Sequence, residues 1–163
     1  MEEIDLADFR RTMSNFASGV TIVTSHYKGT FSALTLSAFV SLSCDPPLAL
    51  ICIDKRTATS SFIERAGIFA VNVLSNDQEW LARCFASRSQ ERYECFCHAN
   101  YSSKVTGAPI LEGNVAYADC RVVMTYEGGD HTIFIGHIVA LGANDTTPLL
   151  YYRGKYCTLT LKE

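Results

Sequence analysis

Alternating apolar and polar positions, the period of a β-strand, dominate the later part of the chain. Residues 116–126 alternate in this way, and a second long strand is predicted over residues 131–141 after a turn at Glu127–Asp130. The two segments predict a long β-hairpin. Shorter runs that predict further strands lie at residues 20–25, 48–53, 68–74, 149–152 and 156–161. The run at 48–53 is apolar throughout, which is typical of a strand buried on both faces.

Three short segments follow the helical period instead. The first would be capped by Asp5 and would end near Gly19. Its apolar residues, which fall on one helical face, are Leu6, Phe9, Met13 and Phe16. A second helix is predicted over residues 58–66, and a third begins with a capping box of Asn76 and Glu79.

Seven or eight strands with two or three helices predict a mainly β fold. We expect an antiparallel β-barrel with peripheral short helices, formed as a single domain over residues 1–163. A chain of this length, with 48% hydrophobic residues, can bury a core without disulfide support. The stretch from Ala86 to Gly113 is the least regular and predicts a functional or mobile loop.

The charge and the cysteines exclude several function classes. The formal net charge is −3 and the sequence has no run of Lys or Arg, so we expect no binding to nucleic acid or to an anionic membrane. No apolar run approaches the ~20 residues of a membrane span, and the acidic first residues do not resemble a secretory signal. A cytoplasmic location is therefore predicted, in which most of the seven cysteines would be free thiols.

The first candidate for chemistry is a row of hydroxyl groups, since the sequence has no Rossmann, P-loop or nucleophile-elbow motif. Thr35, Ser37, Ser41 and Ser43 are spaced so that, in one strand, their hydroxyls would share a face. Such a row can hydrogen-bond the polar edge of a planar ligand or a phosphate. The alternative is an ordinary polar strand face.

Two further segments suit an anion. Residues 54–61 place two cations and several hydroxyls around the first turn of the predicted second helix, where backbone amides favour a phosphate. A solvated turn with helix caps explains the same residues. Residues 87–90 could supply a second anion contact, or could simply be loop.

Histidine and cysteine positions give two more candidates. His131 follows a glycine pair at the hairpin turn, where it could contact a substrate ring or move a proton, although turn histidines are commonly just exposed. Cys95, Cys97 and His98, with Cys84, could form a structural zinc site, but the spacing is not a standard one. Three tyrosines could belong to the core, an interface or a stacking site; they are Tyr151, Tyr152 and Tyr156.

Taken in order, several segments resemble the flavin reductase family, which has the FMN-binding split-barrel fold and supplies the reductase components of two-component flavin monooxygenases. The match runs from about Phe9 to Tyr156. The segments that carry it are Phe16–Thr24, Ser37–Ser43 with Asp45–Pro47, Phe69–Leu74, Gly107–Leu111, Gly129–His131 and Pro148–Tyr152. Their order and spacing together make the resemblance specific.

The resemblance implies a homodimeric six-stranded split barrel that binds FMN or FAD, with NADH or NADPH as hydride donor and a partner oxygenase. The isoalloxazine ring would be bordered by Thr35, Leu36, Ser37 and Ala38. The ribityl chain and phosphate would meet Ser41, Leu42 and Ser43. The phosphate, or the path to an adenylate, would be held by Asp54, Lys55, Arg56, Thr57, Thr59 and Ser60. The same end would be closed by Ala86, Ser87 and Arg88.

The same resemblance implies that His131 is the catalytic residue that meets the nicotinamide, with Tyr152 nearby. It implies no metal. Two features depart from the family pattern: Leu36 stands where many relatives have a small residue, and residues 94–98 are rich in cysteine.

Two other interpretations of the function stay open. One is a flavoprotein of the same barrel that acts on its own substrate, such as a cobalamin or iron reductase or a pyridoxamine-phosphate oxidase-like protein. The other is a flavin-binding protein without catalysis.

Overall fold

Strands make up most of the regular structure in the computed structural model, which describes residues 4–87, 96 and 98–161. The strands are β1 (Ser18–Gly19), β2 (Thr21–Tyr27), β3 (Thr30–Leu36), β4 (Phe39–Cys44), β5 (Pro47–Asp54), β6 (Ile68–Val73), β7 (Tyr101–Ser103), β8 (Pro109–Leu111), β9 (Ala116–Gly128), β10 (His131–Ala143), β11 (Leu149–Tyr152) and β12 (Lys155–Thr158). The helices are α1 (Leu6–Met13), α2 (Ala58–Ala66) and α3 (Glu79–Ala86), the last preceded by a 3-10 turn at Asn76–Gln78. The predicted mainly β class is confirmed.

The main sheet closes on itself. Seven strands pair in the order β3-β2-β6-β9-β10-β5-β4, all antiparallel. Its two edge strands, β3 and β4, are joined by only Ser37 and Ala38. In a flat sheet the edges would lie roughly 29 Å apart, since strands are spaced by about 4.8 Å. Three Cα–Cα steps span at most about 11 Å. The sheet must therefore curl into a barrel, and we call the line between β3 and β4 the seam, and Ser37–Ala38 the bridge.

The sheet has seven strands rather than the six implied by the resemblance. The sequence pattern treats residues 30–43 as one long segment, whereas the chain leaves one edge of the sheet at Leu36 and enters the other at Phe39. The row of hydroxyls at Thr35, Ser37, Ser41 and Ser43 is consequently not one strand face. That prediction is wrong, because the four residues stand on both sides of the seam.

The interior of the barrel is filled by side chains that point inward from several strands. Ile51, Phe69 and Phe134 are all fully buried there. A Cβ atom at Gly136 would come within 2.5 Å of the Phe69 ring, so a glycine is required where β10 passes this ring. A second apolar cluster lies between α3 and the outer side of β2 and β3.

Buried polar groups hold the β7–β8 region to the barrel. Asn72 is fully buried, and its amide donates to the Ile22 carbonyl and accepts from Leu111 N at 2.8 Å. The Asp119 carboxylate accepts from Val105 N and Thr106 N, both at 2.9 Å. Part of the stretch predicted as an irregular loop is therefore a two-stranded sheet fixed by hydrogen bonds.

The helix signals are mostly confirmed. The Asp5 carboxylate caps α1 by accepting from Ala7 N at 2.9 Å, although α1 ends at Met13, well before Gly19. Gly67 ends α2 with a φ of 67°. The predicted capping box is displaced by one residue, since Gln78 accepts from Ser75 N. No residue of α1 is buried, so the apolar face of this helix is largely exposed within the described chain.

Two further expectations concern membranes and cysteines. In residues 4–87, 96 and 98–161, we find no helix that is both long and apolar enough to cross a bilayer. Cys84 is disulfide-bonded, whereas the free thiols among the described residues are Cys44, Cys52, Cys120 and Cys157. Cys95 and Cys97 of the zinc hypothesis lie outside the described residues. Within the described part of the chain, no group of three or more His, Cys, Asp or Glu side chains could hold a metal ion.

Candidate functional site

A cavity of about 400 Å³ lies beside the bridge, and we call it the seam pocket. It is lined by Met13, Ser14, Phe16, Ser18, Ser37, Ala38, Phe39, Val40, Leu50, Cys52 and Tyr151. The lining combines apolar side chains with three serine hydroxyls and has no charged side chain among the described residues. A flat, mainly apolar ring with one polar edge has this chemistry, and the volume is in the usual range for a small-molecule site.

Strand β5 forms one wall of the seam pocket because its side chains alternate. Ala49, Ile51 and Ile53 point into the barrel and are fully buried. Leu50 and Cys52 point outward and line the pocket. The apolar run at 48–53 was expected to be buried on both faces; instead, one face is core and the other is the pocket wall. Partial burial there raises the pKa of the Cys52 thiol.

The neighbouring strand β10 brings a histidine to the same outer face. Ile133 is the cross-strand partner of Cys52, and His131 is the partner of Asp54. Directly opposed residues of antiparallel strands point to the same side of the sheet. His131 therefore lies on the face that lines the seam pocket, two residues beyond Cys52, or ~7 Å along the strand.

Charged groups surround this histidine at what we call the hairpin end, residues 54–56 and 127–131. Arg56 binds the Asp54 carboxylate with two nitrogens, Nη2 at 2.6 Å and Nε at 3.0 Å. This side-chain hydrogen bonding holds the pKa of Asp54 well below its usual range. Nδ1 of His131 lies 2.7 Å from the Asp130 carboxylate, and this hydrogen bond lowers the pKa of Asp130. The acidic partner fixes the orientation of the imidazole ring.

A smaller cavity of about 180 Å³ adjoins the seam pocket and shares Ser37 and Tyr151 with it. Its lining consists of Val20, Thr35, Leu36, Ser37, Ala86, Tyr151 and Tyr156. Thr35 donates its hydroxyl to the Ala82 carbonyl at 2.7 Å, which ties α3 to β3 beside this cavity. The end of α3 is thereby held next to the bridge.

The structure brings some of the predicted flavin contacts together. Thr35, Leu36 and Ala86 line the smaller cavity, Ala38 lines the seam pocket, and Ser37 lines both. Ser87 follows Ala86 directly and is half-buried. Arg88 lies outside the described residues. Tyr152 is not in either lining, and its ring packs under the Arg153 guanidinium at 5.2 Å.

Other predicted contacts lie apart. Ser43 pairs with Leu48, six residues from Asp54, so these two ends of β5 are separated by about 20 Å. One phosphate cannot contact both Ser41–Ser43 and Asp54–Thr57. Thr59 and Ser60 are each only 1% exposed. The hydroxyl of Thr59 accepts a hydrogen bond from Ser32 at 3.0 Å, so it is already used inside the protein.

Sequence reasoning missed several wall residues of the seam pocket. Met13 and Phe16 were recognised as one apolar helix face but not as part of a site, and Ser14 and Ser18 lie beside them. The signal that could have found them is the apolar face of this first helix, because so short a helix cannot bury that face by itself. Cys52 was read only as part of a buried strand.

Comparison with known proteins now identifies the family. The flavin reductase like domain matches residues 13–160. The chain belongs to the flavin reductase family. This flavin reductase is 36% identical over 156 residues to the reductase subunit HsaB of a flavin-dependent monooxygenase from Rhodococcus jostii, covering 95% of this chain and 78% of the relative. It is 37% identical to the reductase component of a 4-nitrophenol 4-monooxygenase/4-nitrocatechol 2-monooxygenase from Rhodococcus opacus, covering 96% and 82%.

A solved structure agrees with this assignment. The NADH:FAD oxidoreductase SgcE6 of Streptomyces globisporus, solved with NAD and FAD fragments, is similar with a TM-score of 0.89 at 33% identity, covering 98% of each chain. The predicted resemblance is thus confirmed for this flavin reductase. The uncharged, mainly apolar lining of the seam pocket fits a flavin ring, and the serine hydroxyls are available to the polar edge of that ring.

Proposed function

We propose that this chain reduces FMN or FAD with NADH or NADPH and releases the reduced flavin to a partner oxygenase. One observation carries the proposal. The seam pocket and His131 occupy the same outer face of the β5–β10 pair, so a ring bound in the pocket would have the histidine beside it. Relatives of this chain are named reductase components of monooxygenases, which supports the same role here.

The flavin ring would lie in the seam pocket against the bridge. Its ring nitrogen N5 is the atom that accepts a hydride from a nicotinamide. Ser37 and Ala38 would border the ring, and the apolar walls would exclude water from it. The tail would pass the smaller cavity at Thr35 and Ala86. We place the phosphate at the start of α2, where Thr57 caps the helix, rather than at Ser43 on the distant end of β5.

His131 would position the nicotinamide or move a proton. Its Nδ1 is held by Asp130, which leaves Nε2 as the nitrogen available to a substrate. No nucleophile on the protein is needed, because hydride transfer requires only orientation and an excluded solvent. Tyr152 directly follows Tyr151, which lines the seam pocket, and its ring packs under the Arg153 guanidinium.

A second copy of the chain would complete the site, as the family resemblance implies. The helix beside the seam pocket has no buried residue, and Phe9 is 53% exposed. The outer sheet face is also apolar and exposed, with Val40 at 51% and Tyr126 at 52%. Apolar area of this kind is typical of a protein interface. Light scattering after gel filtration should give the mass of a dimer, and Phe9→Glu should shift it towards the monomer.

The direct experiment follows the absorbance of NADH with the purified chain, with and without added FMN or FAD. Rapid loss of NADH that requires free flavin would support the proposal. Tightly bound yellow flavin without NADH consumption would instead favour a flavin-binding protein or a flavoprotein with its own substrate. The cytoplasmic location stays a prediction of the sequence.

A further inference from the structure

The turn that carries His131 has few contacts of its own. Gly129 has a φ of 68°, and no heavy atom lies within 4 Å of the Cβ it would carry. The Asp130 side chain is 78% exposed. His131 is the first residue of β10, immediately after this turn. Strand pairing to Gly128 and Asp54 holds the backbone of His131, so what further contacts can position is the Gly129–Asp130 turn and the imidazole that is bonded to Asp130.

Lys55 contacts this turn in three places. Its backbone N–H donates to the Asp130 carbonyl at 3.1 Å. Its Nζ donates to the Gly129 carbonyl at 2.7 Å and forms an ion pair with Glu127 on the opposite strand of the hairpin. A single residue at the end of β5 thus bridges both sides of the turn.

We propose that Lys55 is a positioning residue, which holds the β9–β10 turn so that His131 faces the nicotinamide. The inference rests on the proposed role of His131. An exposed ion pair contributes little to the free energy of unfolding, and the Glu127 side chain is 81% exposed. The effect of Lys55 should therefore be on rate. A misplacement of about 1 Å can cost on the order of 100-fold in rate. We expect a smaller loss, since the backbone hydrogen bond of residue 55 remains in any variant.

Lys55→Met tests this, because methionine keeps an unbranched stem and removes the ammonium group. We expect kcat/KM for NADH to fall about tenfold, equivalent to ~1.4 kcal/mol. Lys55→Arg should restore most of the rate. Lys28→Met is the matched control, since Lys28 is an exposed lysine in the turn of a different hairpin.

Flavin affinity separates positioning from ligand binding. The Kd of the flavin should stay within about twofold in all three variants. A large rise in flavin Kd for Lys55→Met would instead make Lys55 a phosphate ligand and overturn the proposal.

A double-mutant cycle shows whether Lys55 acts through His131. In the His131→Ala background, Lys55→Met should have less than about a twofold further effect, because residues that act through one another are not additive. A full tenfold loss in that background would overturn the positioning role.

Amide hydrogen exchange provides a readout that does not need activity. The peptide that covers residues 127–133 should exchange faster in Lys55→Met than in the wild type and in Lys28→Met. Unchanged exchange would overturn the proposal even if the rate fell. If the wild-type protein failed to oxidise NADH with flavin, the proposed function would fail, and the exchange experiment would still decide whether Lys55 holds the turn.

Discussion

The seam pocket and the hairpin end share one face of β5, yet different interactions build them. The pocket is shaped by apolar side chains and by the bridge, and its lining is uncharged among the described residues. Two residues further along the strand, Asp54 binds Arg56, and beside it Asp130 is hydrogen-bonded to His131. A ring can be selected by shape in the first region, while the second region orients a polar partner. The two functions can therefore be damaged separately.

The largest separate effect is expected at the hairpin end. His131→Ala should lower NADH-dependent flavin reduction at least tenfold, about 1.4 kcal/mol of transition-state stabilisation, because the nicotinamide loses its positioning group. Flavin affinity, measured by fluorescence titration, should be unchanged. His137→Ala, on the same strand, is the control. Near wild-type turnover in His131→Ala would show that the histidine has another role.

The converse effect is expected in the seam pocket. Ala38→Leu adds three carbon atoms to the pocket wall and should raise the Kd of the flavin about fivefold, or ~1 kcal/mol. Turnover at saturating flavin should change less than the affinity does. Ala143→Leu adds the same volume at an exposed position on β10 and should leave both quantities unchanged. Equal flavin affinity in the two variants would place the ring elsewhere.

Alkylation of thiols would locate the flavin along β5. Flavin should slow the reaction of Cys52 with iodoacetamide several-fold, because this thiol lines the pocket. Cys44 is exposed at the other end of the neighbouring strand and should not be protected. Since burial raises the pKa of Cys52, less of it is thiolate near neutral pH, which slows its reaction even without flavin. Protection of Cys44, read by peptide mass spectrometry, would move the flavin tail to Ser41–Ser43.

The smallest effect concerns the Asp54–Arg56 pair. Because Arg56 lowers the pKa of Asp54, the pair stabilises the fold above the unfolded carboxyl pKa of ~3.9. This contribution is lost as the pH falls through the lower pKa of the folded state. Arg56→Gln should raise the pKa of Asp54 towards its ordinary value in an NMR titration, with only a small loss of stability at neutral pH. The pKa of Asp130, lowered chiefly by His131, is the internal control.

Local signals in the sequence predicted the hairpin end much better than the seam pocket. The alternation along β9, the apolar run of β10 and the glycines of the turn specify the hairpin without reference to distant residues. The seam depends on β3 and β4 lying at opposite edges of a closed sheet, and no local period encodes that pairing. For the same reason, the hydroxyl row was misread, and the outward role of Leu50 and Cys52 was missed. The flavin chemistry came from the family resemblance, whereas the placement of the pocket walls needed the tertiary structure.

The bridge also links the circumference of the barrel to ligand selectivity. The bridge has a fixed maximum length, so it cannot stretch when the barrel widens. Any expansion of the barrel must therefore displace Ser37 and Ala38. Ala49 is fully buried and points into the barrel beside the fully buried Ile51. A larger side chain at Ala49 would press the strands apart, because protein interiors are close-packed. If the flavin ring lies against the bridge as proposed, a substitution inside the barrel would alter the preference among flavins with differently substituted rings without changing any residue of the pocket lining.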